Sequence, residues 1–346
     1  MKLFRVGFGG PGMRLLDRME AYEDESGVAV GGERERASPV VVSHSGQPSN
    51  IGDVVVEFSK TSGLYSPDYA ALKRQIDRDV DGGLIGLQRA VDDRMGNADG
   101  FLLVGALGDS CGSAYLPVAA EYLDTLYDRP TYALGVVPGG DEASRHRTAA
   151  GRSLAEFPET ASLLALDNGR LQENPLRNVR DERDTINSRI AERAVELFAA
   201  LPSRADTPAR SAVDGVVDGA TTAVGAAARE VEIPSGGLVS GLLGSGPDPL
   251  GREAVSSLAE RALEELSAAC ELSETEGILL VVSGPEERLD GDVIEAVAGD
   301  VEDRTGVSTD GVTVPVERPR VTVTALVGGV ERGESVRRQL DAYQRH

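Results

Sequence analysis

The chain has 346 residues, of which 40% are apolar, so it is long enough to bury a large core in one or two domains. Its net charge of −22 argues against nucleic-acid binding, because no basic stripe is present to neutralise phosphates. Lysine occurs only at Lys2, Lys60 and Lys73. An acidic, lysine-poor chain favours a halophile, whose salty cytoplasm screens the self-repulsion, and an acidic mesophilic protein is the alternative.

The cysteines and histidines argue against a disulfide-stapled protein and against a metal site. Cys111 and Cys270 are too few for a disulfide framework and indicate a reducing compartment. The three histidines, at positions 44, 146 and 346, have no metal-ligand spacing. Because the chain opens on a strand-like segment and has no apolar run of about 18 residues, we expect no signal peptide, no transmembrane segment and a cytoplasmic location.

The first 170 residues alternate between strand and helix patterns. Short apolar runs predict strands at 3–7, 40–42, 54–58, 101–104 and 131–137. Apolar residues at steps of three and four predict helices at 13–21, 70–95 and 117–127. This alternation predicts a parallel sheet with helices on both faces.

The second half of the chain begins with a long helix and continues into a smaller α/β unit. The long helix covers 181–201, with Ile186, Ile190 and Phe198 on one face. Residues 202–252 are rich in Ala, Gly, Ser and Pro and favour a flexible connection. Helices at 252–269 and 291–305 and strands at 277–283 and 321–327 follow. We therefore divide the chain into a nucleotide-type domain (1–180), a central helix (181–201), a flexible connection (202–252) and a C-terminal α/β domain (253–346).

Two glycine-rich turns follow predicted strands. The segment Gly7-Phe8-Gly9-Gly10-Pro11-Gly12 matches G-x-G-x-x-G, the dinucleotide fingerprint, with Glu33 or Glu35 as a ribose acid. A tight turn that needs glycine for its backbone is the structural alternative. The second turn, at 105–113, favours a nucleotide held between several loops over a nicotinamide-dependent oxidoreductase. No histidine or lysine stands out as a hydride-transfer acid either.

Two polar segments extend this pattern. VVPGGDEA follows the strand at 131–137, and Asp167-Asn168 follows the apolar run of LLALDNGRL. Taken singly, these residues are typical turn formers, and Asn187 is an ordinary exposed helix residue. Taken together, they place four polar loops at the carboxyl edge of one sheet, where ligands bind in such folds.

The motifs also occur in an ordered set that is more specific than any single one. In chain order, the motifs are GFGGPGMRLLDR, GALGDSCGSAYLPVAAEYL, YALGVVPGGDEASRHRTAAGRS, LLALDNGRL, DTINSRIAERAVELF and GILLVVSGPEERLDGDVIEAVAGDVEDRTG. This order resembles the tubulin/FtsZ superfamily, and within it the archaeal CetZ branch. The resemblance implies an α/β fold of that type: a parallel-sheet nucleotide-binding domain, a long central helix and a smaller C-terminal α/β domain.

The resemblance further implies a site for GTP or GDP. Its phosphate contacts fall on Gly9, Gly10, Gly12, Gly108, Ser110, Gly112 and Ser113. Its ribose contacts fall on Asp141 and Glu142, and its guanine contacts on Asn168 and Asn187. An asparagine amide accepts and donates at once, which suits the edge of guanine.

The second glycine loop departs from the family pattern. Asp109 and Ser110 stand where the backbone approaches phosphate closely, and Cys111 replaces the loop threonine. A carboxylate about 4–6 Å from a triphosphate repels it by about 1 kcal/mol or more. A bridging Mg²⁺ that takes Asp109 as a ligand is the alternative. The family's γ-phosphate loop falls near residues 59–70 and has no clear counterpart.

The catalytic acids are incomplete as well. In this superfamily, a loop of the next subunit supplies acids that orient the attacking water. That loop falls near ARSAVDGVVDGATTAVG, with Asp214 or Asp218 as the first acid. Three residues further on stand Val217 or Thr221, and neither replaces a carboxylate. We expect weak or absent hydrolysis.

The function implied is that of a guanine-nucleotide-binding cytoskeletal protein in cell shape or division. It would associate with itself or with better-preserved relatives of the superfamily. The alternative is a scaffold or regulator of the same fold that binds no nucleotide.

Overall fold

The computed structural model describes residues 2–28, 30, 40–43, 54–57, 83–158, 160–172, 178–200, 216, 221–231, 248–266, 272 and 275–330. The helices are α1 (Gly9–Ser26), α2 (Gly83–Arg94), α3 (Ser110–Tyr127), α4 (Ser144–Ala155), α5 (Arg183–Ala200), α6 (Arg252–Glu264) and α7 (Gly291–Thr305). Across these ranges, no helix combines the length and apolar character that crossing a bilayer requires.

The strands form one continuous sheet. They are β1 (Leu3–Phe8), β2 (Val40–Ser43), β3 (Val54–Glu57), β4 (Gly100–Ala106), β5 (Thr131–Val137), β6 (Ser162–Asp167), β7 (Thr221–Glu230), β8 (Gly277–Gly284), β9 (Thr309–Pro315) and β10 (Arg320–Val330). Their order is β3-β2-β1-β4-β5-β6-β7-β10-β8-β9. All pairs from β3 to β7 are parallel, as the strand–helix alternation predicts, whereas β10 is antiparallel to both of its neighbours.

Helices cover both faces of the parallel part of the sheet. On one face, Leu16 and Met19 of α1 pack in a buried cluster with Ile190 of α5. On the other face, Leu87 of α2 and Leu116 of α3 belong to a second buried cluster, which also reaches α4. The prediction of a doubly covered parallel sheet is therefore confirmed.

The central helix α5 lies across both halves of the sheet. Its buried apolar face belongs to the same cluster as Leu279 and Val281 of β8. The ring of Phe198 packs edge-on against Tyr132 of β5, with 5.7 Å between the ring centroids. A third cluster, built on α6 and α7, covers the opposite face of the C-terminal strands.

The register of the strands brings the predicted loops together. Strands β1 and β4 pair from Leu3 opposite Gly100 to Phe8 opposite Gly105, so the two glycine turns leave the sheet at nearly the same level. Strands β5 and β6 end with Val137 opposite Asp167, which juxtaposes the two polar loops in the same way.

The helices after the glycine turns begin earlier than the sequence pattern predicts. Helix α1 begins at Gly9 rather than residue 13, and α3 begins at Ser110 rather than residue 117. The α3 start is stabilised by Asp109, whose side chain accepts a hydrogen bond from the Cys111 amide at 3.1 Å. Both helix N-termini therefore lie immediately above the ends of their strands.

The expected flexible connection, 202–252, contains strand β7. Its small residues have a packing role that composition alone does not reveal: a Cβ on Gly225 would lie 1.9 Å from the Ala262 carbonyl oxygen of α6. The Ala- and Gly-rich sequence thus allows helix α6 to lie directly on the strand. Residues 202–215, 217–220 and 232–247 of this segment lie outside the described residues, as does 58–82, which holds the first part of the predicted 70–95 helix.

Candidate functional site

A cavity of about 400 Å³ lies at the carboxyl ends of β1, β4, β5 and β6. The N-terminal turns of α1 and α5 and the loops before α3 and α4 surround it. It is lined by Gly10, Pro11, Arg14, Leu15, Ala106, Gly108, Asp109, Val136, Pro138, Glu142, His146, Asn168, Val179, Arg183, Ile186 and Asn187. Its position is the sheet edge that the sequence pattern predicts for a ligand site.

The structure brings some of the predicted nucleotide contacts to the lining of this cavity and leaves others outside the lining. Those that line it are Gly10, Gly108, Glu142, Asn168 and Asn187. Those outside the lining are Gly9, Gly12, Ser110, Gly112, Ser113 and Asp141. Residues from three separate loops, from the first turn of α1 and from the central helix therefore meet at one place.

Two of the glycines outside the lining have a packing role. A Cβ on Gly12 would lie 2.3 Å from the carbonyl oxygen of Val104. A Cβ on Gly112 would lie 2.2 Å from the carbonyl oxygen of Ala106. Both helices approach β4 so closely that only glycine fits, and this approach holds their N-termini at the cavity.

The two predicted ribose acids already have partners within the protein. The Glu142 carboxylate accepts hydrogen bonds from the Gly139 amide at 2.8 Å and from Asn168 Nδ2 at 3.2 Å. The Asp141 carboxylate accepts one from the Val179 amide at 3.0 Å. These bonds connect the loop after β5 to the loop after β6 and to the segment before α5. The two acids therefore fix the relative positions of three segments of the cavity wall.

Two arginines line the cavity although no sequence motif had identified them as site residues. Arg14 lies one turn into α1, and Arg183 is the first residue of α5. Burial and the neighbouring Arg183 guanidinium lower the pKa of Arg14, while Asp109 raises it. The signal available in the sequence was a cation two residues after Gly12, at the start of a helix that follows a glycine turn. A pair of guanidinium groups facing one cavity is suited to an anionic ligand.

His146 was also missed as a residue of the cavity wall. Its Nδ1 lies 2.8 Å from the carbonyl oxygen of Gly108, so Nδ1 carries the proton and donates. This bond connects the start of α4 to the second glycine turn. The loop that carries Asp109 is thereby held from both sides, by the α3 cap and by His146.

The predicted catalytic acids Asp214 and Asp218 lie outside the described residues, as do Cys270 and the expected γ-phosphate segment at 59–70. Within the part of the chain that is described, no group of three or more His, Cys, Asp or Glu side chains is placed to hold a metal ion.

The comparisons with known proteins agree with this architecture. Residues 177–343 match the family model described as the C-terminal domain of tubulin-like CetZ. Tubulin-like protein CetZ1 of Haloferax volcanii is 30% identical over 333 residues, which cover 88% of this chain and 82% of that protein. The chain belongs to the CetZ family of tubulin-like proteins.

Further comparisons extend this assignment to the whole fold. Tubulin-like protein CetZ5 of the same organism is 32% identical over 69% of this chain, although the match spans only 65% of that protein's length. The solved structure of CetZ2 from Haloferax volcanii, a GTPγS-bound protofilament, has a TM-score of 0.77 and 25% identity, and covers 100% of this chain and 98% of that one. The tubulin/FtsZ-like fold expected from the motifs is confirmed for this CetZ protein.

Proposed function

We propose that this CetZ protein binds guanine nucleotide in the cavity and associates with itself or with better-preserved relatives in cell shape or division. Hydrolysis of GTP would be weak or absent. Both the identity of the ligand and the cellular process belong to this proposal.

The observation that carries the proposal is the pair Arg14 and Arg183 in a cavity of a chain with a net charge of −22. In this acidic chain, two guanidinium groups face one space beside the N-termini of α1 and α3. Helix N-termini and guanidinium groups both favour phosphate. Asn168 and Asn187, which the family resemblance assigns to guanine, line the same cavity. The described residues of the cavity wall therefore fit a guanine nucleotide, although the Asp109 carboxylate on the phosphate side opposes the charge of the ligand.

The relatives support the proposal in two respects. The solved CetZ2 structure contains GTPγS and a protofilament, and both features belong to that protein. Because the present chain covers nearly all of it, the same ligand class and the same kind of assembly are the natural hypothesis here. The halophilic origin of the relatives also supports a salty cytoplasm for this acidic chain.

The proposal of slow hydrolysis rests on the sequence around Asp214 and Asp218. If Asp214 is the first acid, Val217 stands at the position of the second acid, and if Asp218 is the first acid, Thr221 stands there. At most one carboxylate is therefore available to orient water. A bound Mg²⁺ would add charge stabilisation to the phosphates. Assembly-dependent GTP turnover as fast as that of a relative with both acids would contradict this part of the proposal.

The first test is the nucleotide content of the protein purified in high KCl, followed by titration with GTP, GDP and guanosine. Near-stoichiometric guanine nucleotide is the expected result. A protein that is empty and binds none of the three ligands would overturn the proposal and favour the scaffold alternative.

Asn187→Ala tests the guanine end of the cavity. We expect about tenfold weaker binding of GDP or more, because a base-edge hydrogen bond is lost and the base is left unpaired. Asn97→Ala is the matched control, since Asn97 is exposed in the turn before β4, at the opposite edge of the sheet. Equal binding by both variants would argue against recognition of the base by Asn187.

A further inference from the structure

The Asp109 carboxylate lies between the N-termini of two helices. It caps α3 by accepting a hydrogen bond from the Cys111 amide at 3.1 Å. Its Oδ2 is also 2.7 Å from the point where a Cβ on Gly9 would stand, so it lies directly against the first residue of α1. Gly9 has a φ of +67°, and any side chain there would collide with this carboxylate.

The surroundings of Asp109 are those that a bound anion would have. The Cys111 amide donates to this carboxylate, and the positive ends of the α1 and α3 helix dipoles lie beside it. Arg14 faces the same cavity and is attracted by Asp109, whereas Arg183 repels Arg14. The Asp109 carboxylate thus lies beside the helix N-termini and Arg14, which would otherwise bind a phosphate group.

We propose that Asp109 is an internal anion that takes part of the phosphate region of the cavity, so that the site favours guanine ligands with fewer phosphates. This inference rests on the proposed function and names the ligand selectivity of that same site. It makes Asp109 a specificity-determining residue rather than a neutral relic of the glycine loop.

The physical reason is a competition between like charges for the same donors. Each phosphate added to the ligand brings negative charge toward a carboxylate that already holds the α3 amide and lies against Gly9. To admit a triphosphate, Asp109 has to turn away, which costs its cap, or remain and repel the ligand. Guanosine carries no phosphate charge, and its monophosphate carries the charge of a single phosphate group, so both bear less of this cost than a triphosphate does.

Two substitutions separate the charge of Asp109 from its volume. Asp109→Asn keeps the cap and the size and removes the charge, since asparagine is as good an N-cap as aspartate. Asp109→Gly removes both. Asp290→Asn is the matched control, because Asp290 caps α7 through the amides of Asp292 and Val293, in the C-terminal part of the protein.

The experiment is calorimetric titration of the full chain and these variants with guanosine, GMP, GDP and GTP in high KCl, with and without Mg²⁺. We expect Asp109→Asn to tighten GTP binding about tenfold or more and to change guanosine binding by less than about twofold. Asp109→Gly should gain at least as much, and Asp290→Asn should bind every ligand as the wild type does.

The outcomes distinguish this inference from the proposed function. If the wild type binds GTP as tightly as GMP and neither Asp109 variant changes that ratio, the inference is wrong and nucleotide binding stands. If Asp109→Asn weakens GTP binding only when Mg²⁺ is present, Asp109 is a ligand of the metal and the inference is wrong. If no variant binds any guanine ligand, guanosine included, the proposed function itself fails.

Discussion

Replacing Glu196 by alanine is expected to lower the free energy of unfolding by about 4 kcal/mol, because it empties a buried polar junction. Glu196 lies on α5 and is only 3% exposed. Its carboxylate accepts hydrogen bonds from the Tyr22 hydroxyl of α1 and from Ser283 Oγ of β8, the latter at 2.6 Å. The variant leaves both hydroxyls without this acceptor and adds a cavity at the point where the two halves of the protein meet the central helix.

Glu196→Ala is compared with Glu260→Ala in chemical unfolding experiments at high KCl. Glu260 is also a helical glutamate, but it is half exposed and pairs with Arg304 at the surface. Surface pairs contribute less than about 1 kcal/mol, so this control should unfold almost as the wild type does. Losses of equal size in the two variants would contradict a stabilising role for the junction.

The same junction gives a pH dependence with a definite sign. Burial raises the pKa of Glu196 above its ordinary value of 4.5, although hydrogen bonds from Ser283 and Tyr22 oppose this. The folded chain therefore holds the proton more tightly than the unfolded chain. This contribution to stability is fully present below pH 4.5 and is lost as the pH rises through the folded-state pKa. We expect the stability of Glu196→Gln relative to the wild type to increase with pH over that window, and a pH-independent difference would contradict the raised pKa.

Replacing Gly112 by alanine is expected to lower the free energy of unfolding by about 3 kcal/mol through overpacking. The new Cβ would stand 2.2 Å from the Ala106 carbonyl oxygen, which belongs to β4 and cannot move without disturbing the sheet. Because α3 would have to shift away from β4, the cavity wall at Asp109 should shift with it. Guanine-nucleotide binding should therefore weaken together with stability.

Gly299→Ala is the matched control for Gly112→Ala. Gly299 lies within α7, and a Cβ there would meet nothing within 4 Å. Alanine is the better helix former, so this substitution should stabilise the protein by about 0.5–1 kcal/mol. Thermal unfolding of both variants should give effects of opposite sign, and a Gly112→Ala variant as stable as the wild type would contradict the close approach of α3 to β4.

The fold was predictable because each strand and helix has its own pattern within a short segment, and these patterns recur along the chain. Alternating apolar runs and helical spacing indicated the parallel sheet, and helix α7 begins and ends where its periodicity predicts. Strand β7 was missed, since its Ala- and Gly-rich sequence has the composition of a linker, and only the contact of Gly225 with α6 shows why small residues are needed there. Helix α3 was placed too late, because the sequence pattern alone did not identify Asp109 as its cap.

The sequence by itself determined the class of fold, the family and the loops that meet at the sheet edge, because motif order and apolar periodicity are written along the chain. Only the tertiary structure decided which side chains share the cavity. It placed Arg14 and Arg183 in the wall, and Gly12 and Gly112 against β4. It also placed Asp109 against Gly9, 100 positions earlier in the chain. The physical reason is that strand register and the distance of a helix from its strand set such contacts, and neither quantity is encoded within any single motif.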